Sequence, residues 1–163
     1  MHEYTLSLGT NIGERLNNLA DAVTLLGRRG EITAASPVYE TTPMDMDEDN
    51  APDFLNCALV YDTYQNPEQL YQFIKQIEAA LGRPPAKGVM SRIIDIDIIT
   101  WSAGEYSSDT LTIPHPLAMK RLFVYKPVKE IAPGALPSTR RKFAGQEVSR
   151  FCGSDVLFAN RNI

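Results

Sequence analysis

The sequence predicts an α+β fold, an antiparallel sheet with helices packed on it. Three observations point there. Strand-like and helix-like segments follow one another in the order β-α-β-β-α-β between Tyr4 and Trp101, a pattern that brings strands together antiparallel. Each helix-like segment carries an apolar repeat of three or four residues with its own start and stop signals. Hydrophobic residues make up 44% of the 163 positions, enough to bury a core without disulfide or metal staples.

The elements run as follows. Residues 4–8 alternate like a half-buried strand, and Gly9-Thr10-Asn11 breaks it. Asn11 is placed to cap a helix, with Glu14 three residues on in the position of a capping box. Ile12, Leu16, Leu19, Val23 and Leu26 give that helix its stripe, and Gly27 can end it. Residues 31–41 and 56–63 read as strands, separated by the acidic, proline-bearing run 45–52, which reads as a mobile loop. Asn66-Pro67-Glu68 opens a second helix with proline at its first position; Leu70, Ile74, Ile77 and Leu81 form its apolar face, and Gly82 stands where a terminating glycine belongs. After a loop at 84–91, residues 93–101 form a β-branched strand, 111–113 a short strand, Pro114-His115-Pro116 a rigid turn and 123–132 a further short element. The tail from Gly134 has no readable period. Together these predict a ferredoxin-like βαββαβ core, helices on one face of the sheet, and extra short C-terminal elements. One domain spans 1–163, with mobile loops near 9–13, 43–53 and 84–91.

Composition removes some functions. The formal charge of −4 argues against a nucleic-acid binder, which carries a basic excess. It leaves room for a triphosphate ligand, which needs only a local basic pocket. Cys57 and Cys152 stand far apart without metal-site spacing, so a reduced, cytoplasmic protein is expected. No apolar run approaches membrane-spanning length, and no signal-peptide pattern opens the chain.

The sharpest local feature is Arg92-Ile93-Ile94-Asp95-Ile96-Asp97-Ile98. In a strand, Asp95 and Asp97 project to one face and the isoleucines to the other. Paired carboxylates on an apolar strand repel one another and lose hydration, and a hard divalent cation resolves both problems. The alternative is two solvated aspartates on an open sheet face. Leu111-Thr112-Ile113-Pro114-His115-Pro116 with Arg121 and Phe123 is the second feature. Prolines on both sides hold the histidine, and His115 with Arg121 can grip phosphate oxygens. A lone histidine is more often structural. Glu78 and Arg83 close the second helix, where a solvent-facing acid and a dipole-compensating cation are the plain readings. Phe54 and Asn56 share one strand face; they can stack on and hydrogen-bond a flat heterocycle, or be an ordinary sheet pair.

Taken in this order, the set resembles the 6-hydroxymethyl-7,8-dihydropterin pyrophosphokinase family from about Tyr4 to Pro133. The carriers are Ser7-Leu8-Gly9-Thr10-Asn11, Val38-Tyr39-Glu40-Thr41, Phe54-Leu55-Asn56, Ile77-Glu78, Leu81-Gly82-Arg83, the run from Arg92 to Asp97, and Pro114-His115-Pro116 with Arg121 and Phe123. The resemblance implies a magnesium-dependent transferase that moves pyrophosphate from ATP to the pterin hydroxymethyl group, releasing AMP, in folate biosynthesis. It implies that Asp95 and Asp97 hold two magnesium ions. It gives Arg83, Arg92, Asp95, Asp97 and Arg121 to catalysis, and Glu78, Arg92, Ile98, Leu111, Thr112, His115 and Arg121 to ATP. Thr41, Thr42, Met44, Phe54, Asn56, Asp95 and Phe123 go to the pterin, with Phe54 and Phe123 on either side of its ring. The partners implied are these two small molecules, acting on a cytoplasmic monomer with no nucleic acid and no membrane. Many family members carry a tryptophan, glycine and proline before the arginine matching Arg92, where this chain has Val89-Met90-Ser91, and more arginine in the preceding loop, where this chain has Lys87. The readings that compete are a pterin- or nucleotide-binding paralogue without turnover and a ligand-free interaction domain.

Overall fold

A computed structural model describes residues 1–43, 50–82, 93–140 and 143–159. Its strands are β1 (His2–Thr10), β2 (Glu31–Ala35), β3 (Val38–Thr41), β4 (Phe54–Thr63), β5 (Asp95–Trp101), β6 (Tyr106–Ser107), β7 (Thr112–Ile113) and β8 (Val148–Cys152). Its α-helices are α1 (Arg15–Leu26), α2 (Pro67–Ala80) and α3 (Leu122–Ile131). The main sheet has six strands in the order β5-β1-β4-β3-β8, with β2 also paired to β4. Every pairing is antiparallel. A separate hairpin joins β6 to β7. The architecture is thus a mixture of helices and antiparallel sheet.

Strand alternation splits the apolar residues between two faces. Tyr4, Leu6 and Leu8 of β1, Leu55, Cys57, Leu59 and Tyr61 of β4, and Ile96 and Ile98 of β5 pack against Leu19, Val23 and Leu26 of α1 and Leu70, Ile74 and Ile77 of α2. Each such buried side chain contributes about 1.5–3 kcal/mol of transfer free energy. On the opposite face, Ala58 and Ile99 meet Ala118, Val124, Val128 and Leu136. Helices therefore cover both faces, which corrects the expectation of one. Alternation carries this: Ile99 lies two residues beyond Asp97, on the face away from Ile96 and Ile98, and packs there with Ala58 and α3.

The second helix starts as its sequence demands. Asn66 caps it, its side chain accepting from the Gln69 N–H while the Gln69 side chain accepts from the Asn66 N–H, and Pro67 follows. Gly82 lies beyond its end at φ +92, a left-handed conformation that favours glycine.

The first helix starts differently from its expected form. Glu14 is the N-cap and makes no side-chain cap bond. The Asn11 carboxamide is used instead to donate to the Pro52 carbonyl at 3.0 Å, tying two loop segments together. Gly13 turns the chain at φ +73, which leaves Ile12 exposed and out of the apolar stripe. Asn18 braces the turn by donating to Thr10 Oγ1 and the Ile12 carbonyl.

The strand expected over 31–41 is interrupted between β2 and β3. Pro37 has no N–H to give a ladder. Buried Ser36 fills the gap: its N–H donates to the Ala58 carbonyl, and its hydroxyl accepts from the Ala58 N–H at 2.8 Å. The segment expected over 123–132 is a helix. The tail adds β8 to the edge of β3 and a 3-10 helix, Ser154–Phe158, whose Leu157 enters the core beside α1. Among the described residues, no helix is long and apolar enough to cross a membrane. Both cysteines are free.

Candidate active site

The cross-strand register builds the site. Asp95 lies opposite Gly9, Gly9 opposite Asn56, and Asn56 opposite Tyr39. Asp97 lies opposite Ser7, and Ser7 opposite Ala58. The two aspartates thus stand on the α3 face, one row apart. On that face the Asn56 carboxamide donates to Thr41 Oγ1 at 2.8 Å, and Thr41 lies opposite Phe54. Asn56 is buried, so this bond fixes which way its amide faces. A Cβ on Gly9 would come within 2.9 Å of Asn56 Oδ1 and 3.6 Å of Phe54 Cδ1. Glycine is therefore what lets the Asn56–Phe54 platform lie against β1.

On the outer edge of β5 a cavity of about 270 Å³ opens between α2 and the β6–β7 hairpin. Asp97, Ile98, Leu111, Thr112 and His115 line it, all expected site residues, together with Lys75 of α2. Asp97 keeps some surface open to this cleft but is otherwise packed round by protein. That burial, reinforced by the charges of Asp95 and Glu78, pushes its carboxyl well above the usual range, while Arg121 and Lys75 pull it back. A carboxylate in the state of Asp97 favours added positive charge nearby.

His115 is held by its backbone and its ring. Its N–H donates to the Ile99 carbonyl, and its Nδ1 accepts from the Leu117 N–H at 3.1 Å. In the neutral ring the proton is then on Nε2. Burial, with the nearby Arg121 charge, lowers the tendency of this ring to protonate, against a smaller pull from Asp95. The Ile113–Pro114 peptide before it is cis. Arg121 is the N-cap of α3, its guanidinium carbon 5.8 Å from the centre of the Phe123 ring. Phe123 in turn shares a small crevice with Thr41 and Thr42.

Glu78 is 2% exposed and paired with Lys75 at 2.9 Å, which removes the solvent-facing alternative. The structure therefore brings Asp95, Asp97, His115, Arg121 and Glu78 into one electrostatic group. It sets Ile98, Leu111 and Thr112 on one side of them and Thr41, Thr42, Phe54, Asn56 and Phe123 on the other. Met44, Arg83 and Arg92 lie outside the described residues, as do the loop at 84–91 and most of that at 43–53. Sequence reasoning missed Lys75. Its signal was present: it precedes the site acid Glu78 by three residues, one helical turn on the same face.

Comparisons with known proteins place the chain in a family. The model of the 7,8-dihydro-6-hydroxymethylpterin-pyrophosphokinase family matches residues 5–133. The 2-amino-4-hydroxy-6-hydroxymethyldihydropteridine pyrophosphokinase of Methylorubrum extorquens is 39% identical over 131 residues, covering 78% of this chain and 81% of that protein. The folic acid synthesis protein FOL1 of Dictyostelium discoideum is 37% identical over 134 residues; the match covers 82% of this chain but only 20% of that longer protein. A Plasmodium falciparum HPPK-DHPS crystal structure has the same fold over 96% of this chain and 44% of its own, with a TM-score of 0.62 at 15% identity. The chain belongs to the 7,8-dihydro-6-hydroxymethylpterin-pyrophosphokinase family.

Proposed function

We propose that the chain transfers pyrophosphate from ATP to the hydroxymethyl group of 6-hydroxymethyl-7,8-dihydropterin in folate biosynthesis. The pterin hydroxyl oxygen bonds to the β-phosphorus and gives up its proton, the bond from that phosphorus to the α-phosphate's bridging oxygen breaks, and AMP leaves. One observation carries this reading. Asp95, Asp97 and Arg121, with the neutral His115 ring among them, form a polar strip between the β5-edge cavity and the Asn56–Thr41 platform.

The nucleotide's base and sugar fit the cavity side, against Ile98, Leu111 and Thr112, with Glu78 and Lys75 behind. The volume there sits just under the usual range for whole small-molecule pockets, ~300–1,000 Å³, so the phosphates run out over the strip. His115 donates its Nε2–H to a phosphate oxygen, and Arg121 adds positive charge beside it. Arg92 is assigned to the same phosphates, and Arg83 and Arg92 to the chemical step. The pterin lies over Asn56 and Thr41, between Phe54 and Phe123, with Thr42 and Met44 at its border and its hydroxymethyl group toward Asp95. Asp95 and Asp97 fit a hard cation, since both carboxylates share a face and burial has left Asp97 short of countercharge. Two magnesium ions bound there would neutralise phosphate charge and act as Lewis acids at the transferred group. What the chain's residues do is hold two substrates in line and shape the field at the reacting phosphorus.

The same reading treats 1–163 as a single monomeric, cytoplasmic unit. It takes the core as ferredoxin-like, with β2 and β3 together as the second of four core strands. The test is AMP formation from ATP and magnesium, with and without hydroxymethyldihydropterin. AMP is expected only when the pterin is present. Ligand-induced protection from unfolding without AMP would replace the enzyme by a binding paralogue.

A further inference from the structure

We propose that Gln146 is a positioning residue for the transfer reaction, acting through Arg121. It comes from the C-terminal segment, beyond residues 5–133 that the family model matches. The proposal rests on the reading of Arg121 as a phosphate-contacting group.

The geometry is a bracket. Gln146 Oε1 accepts from the Leu122 N–H at 2.9 Å, and Gln146 Nε2 donates to the Lys120 carbonyl at 2.9 Å. One carboxamide thus satisfies the peptide groups on both sides of Arg121, as a neighbouring strand would. Leu122 is the first residue of α3, whose N–H has no partner within its own helix. Arg121, between the two bonds, is extended at φ −115 and ψ 110. Holding those two torsions sets the direction in which its side chain leaves the backbone. That side chain is the one whose charge reaches Asp97 and His115 and lies over Phe123.

The bracket is itself anchored. The Gln146 N–H donates to the Phe143 carbonyl, closing a turn in which Gly145 has φ +74. Two residues on, Val148 begins β8 opposite Thr41. Gly145 and Glu147 are exposed while Gln146 is turned inward. The segment 145–148 also walls the crevice of Thr41, Thr42 and Phe123. The turn that leads into the added edge strand β8 therefore carries one side chain across to the start of α3, where the two proposed substrate regions meet.

The test uses the full chain and two variants. Gln146→Leu keeps the size and removes both bonds. Gln146→Glu keeps an acceptor for Leu122 and loses the donor to Lys120. The direct readout is ¹⁵N relaxation of the Arg121 Nε–Hε group without ligands. Order is expected to fall in Gln146→Leu and to be intermediate in Gln146→Glu. For turnover, Gln146→Leu is expected to lower kcat roughly ten- to hundredfold, the scale of a misplaced catalytic group, with KM for ATP within about threefold. In an Arg121→Ala background the same change should cost little more. Unchanged Arg121 order in Gln146→Leu overturns the proposal. So does an equal loss of kcat in both backgrounds, which would mean a general structural role, or a kcat within twofold of the parent. An inert parent chain sinks the functional reading instead, and the Arg121 signal still decides whether the bracket exists.

Discussion

At the scale of single residues, Asp97 carries a clear electrostatic cost in the fold. Burial and the charges of Asp95 and Glu78 raise its carboxyl from 3.8 to about 7. A raised acid stabilises the fold in its protonated form. That contribution is complete below about pH 4 and is lost as pH rises through about 7, because the unfolded chain gives up the proton first. Asp97→Asn removes the charge but not the volume. At pH 8 and without ligands it is expected to raise stability by about 1–3 kcal/mol, the range for one poorly solvated polar group, and to flatten the pH dependence between 4 and 7. Its turnover should fall by at least two orders of magnitude. Urea melts at several pH values together with AMP assays would check both; a less stable variant at pH 8 would refute the account of strain. The sequence announced this pair because alternation in a β-branched strand fixes which residues share a face. It could not decide between metal ligands and solvated acids, since that turns on burial supplied by α2, the hairpin and α3. Glu78 was ambiguous for the same reason.

At the scale of elements, Glu68 in the first turn of α2 holds the hairpin that walls the cavity. Its carboxylate accepts from the hydroxyls of Tyr106, Ser108 and Thr110. The hydrogen bond from Ser108 is the main cause that holds this carboxyl below its usual range. The contribution is thus present above the normal carboxylate pKa and lost as pH falls through the lowered value. Ser108, Thr110, Leu111 and Thr112 all line the cavity, so loosening the clasp should weaken nucleotide binding more than chemistry. Glu68→Ala is expected to raise KM for ATP roughly three- to tenfold with kcat near its parent value. A fall in kcat at unchanged KM would show that the hairpin acts on the chemical step. None of this was legible beforehand, because a glutamate in a first helical turn has a sufficient local explanation in the helix dipole. Elements governed by local rules read well: the Asn66–Pro67 start and the Gly82 stop of α2 stand where the sequence put them. Elements governed by distant partners read poorly. Asn11 bonds Pro52 rather than a helix N-terminus, and β8 forms because an edge of β3 is available to it.

For the whole molecule, the two faces of the sheet divide the labour. The face under α1 and α2 is a continuous apolar core. The other is apolar beneath α3 and polar along the Asp95–Gly9–Asn56 row. The order of elements was readable, but the placement of α3 was not, because it depends on distant partners, Ala58 of β4, Ile99 of β5 and Leu136 of the tail. This division implies that ligands and the carboxylate strain act on one equilibrium. A ligand that binds only the folded chain stabilises it by RT ln(1 + [L]/Kd), about 2.7 kcal/mol at a hundredfold excess over Kd. For a domain of this size each kcal/mol moves Tm by about 2–4 °C, so magnesium with a non-hydrolysable ATP analogue should raise the parent Tm by about 5–10 °C. Asp97→Asn should begin higher without ligand and gain far less with it, so the order of the two proteins narrows or reverses on saturation. Chelating the metal should abolish most of the parent's gain. Scanning calorimetry at pH 8, with and without metal and analogue, reads all four states. Equal ligand-induced shifts in both proteins would mean that Asp97 is not where the cation and the nucleotide meet. A shift in the parent that survives chelation would mean that the nucleotide binds without the metal.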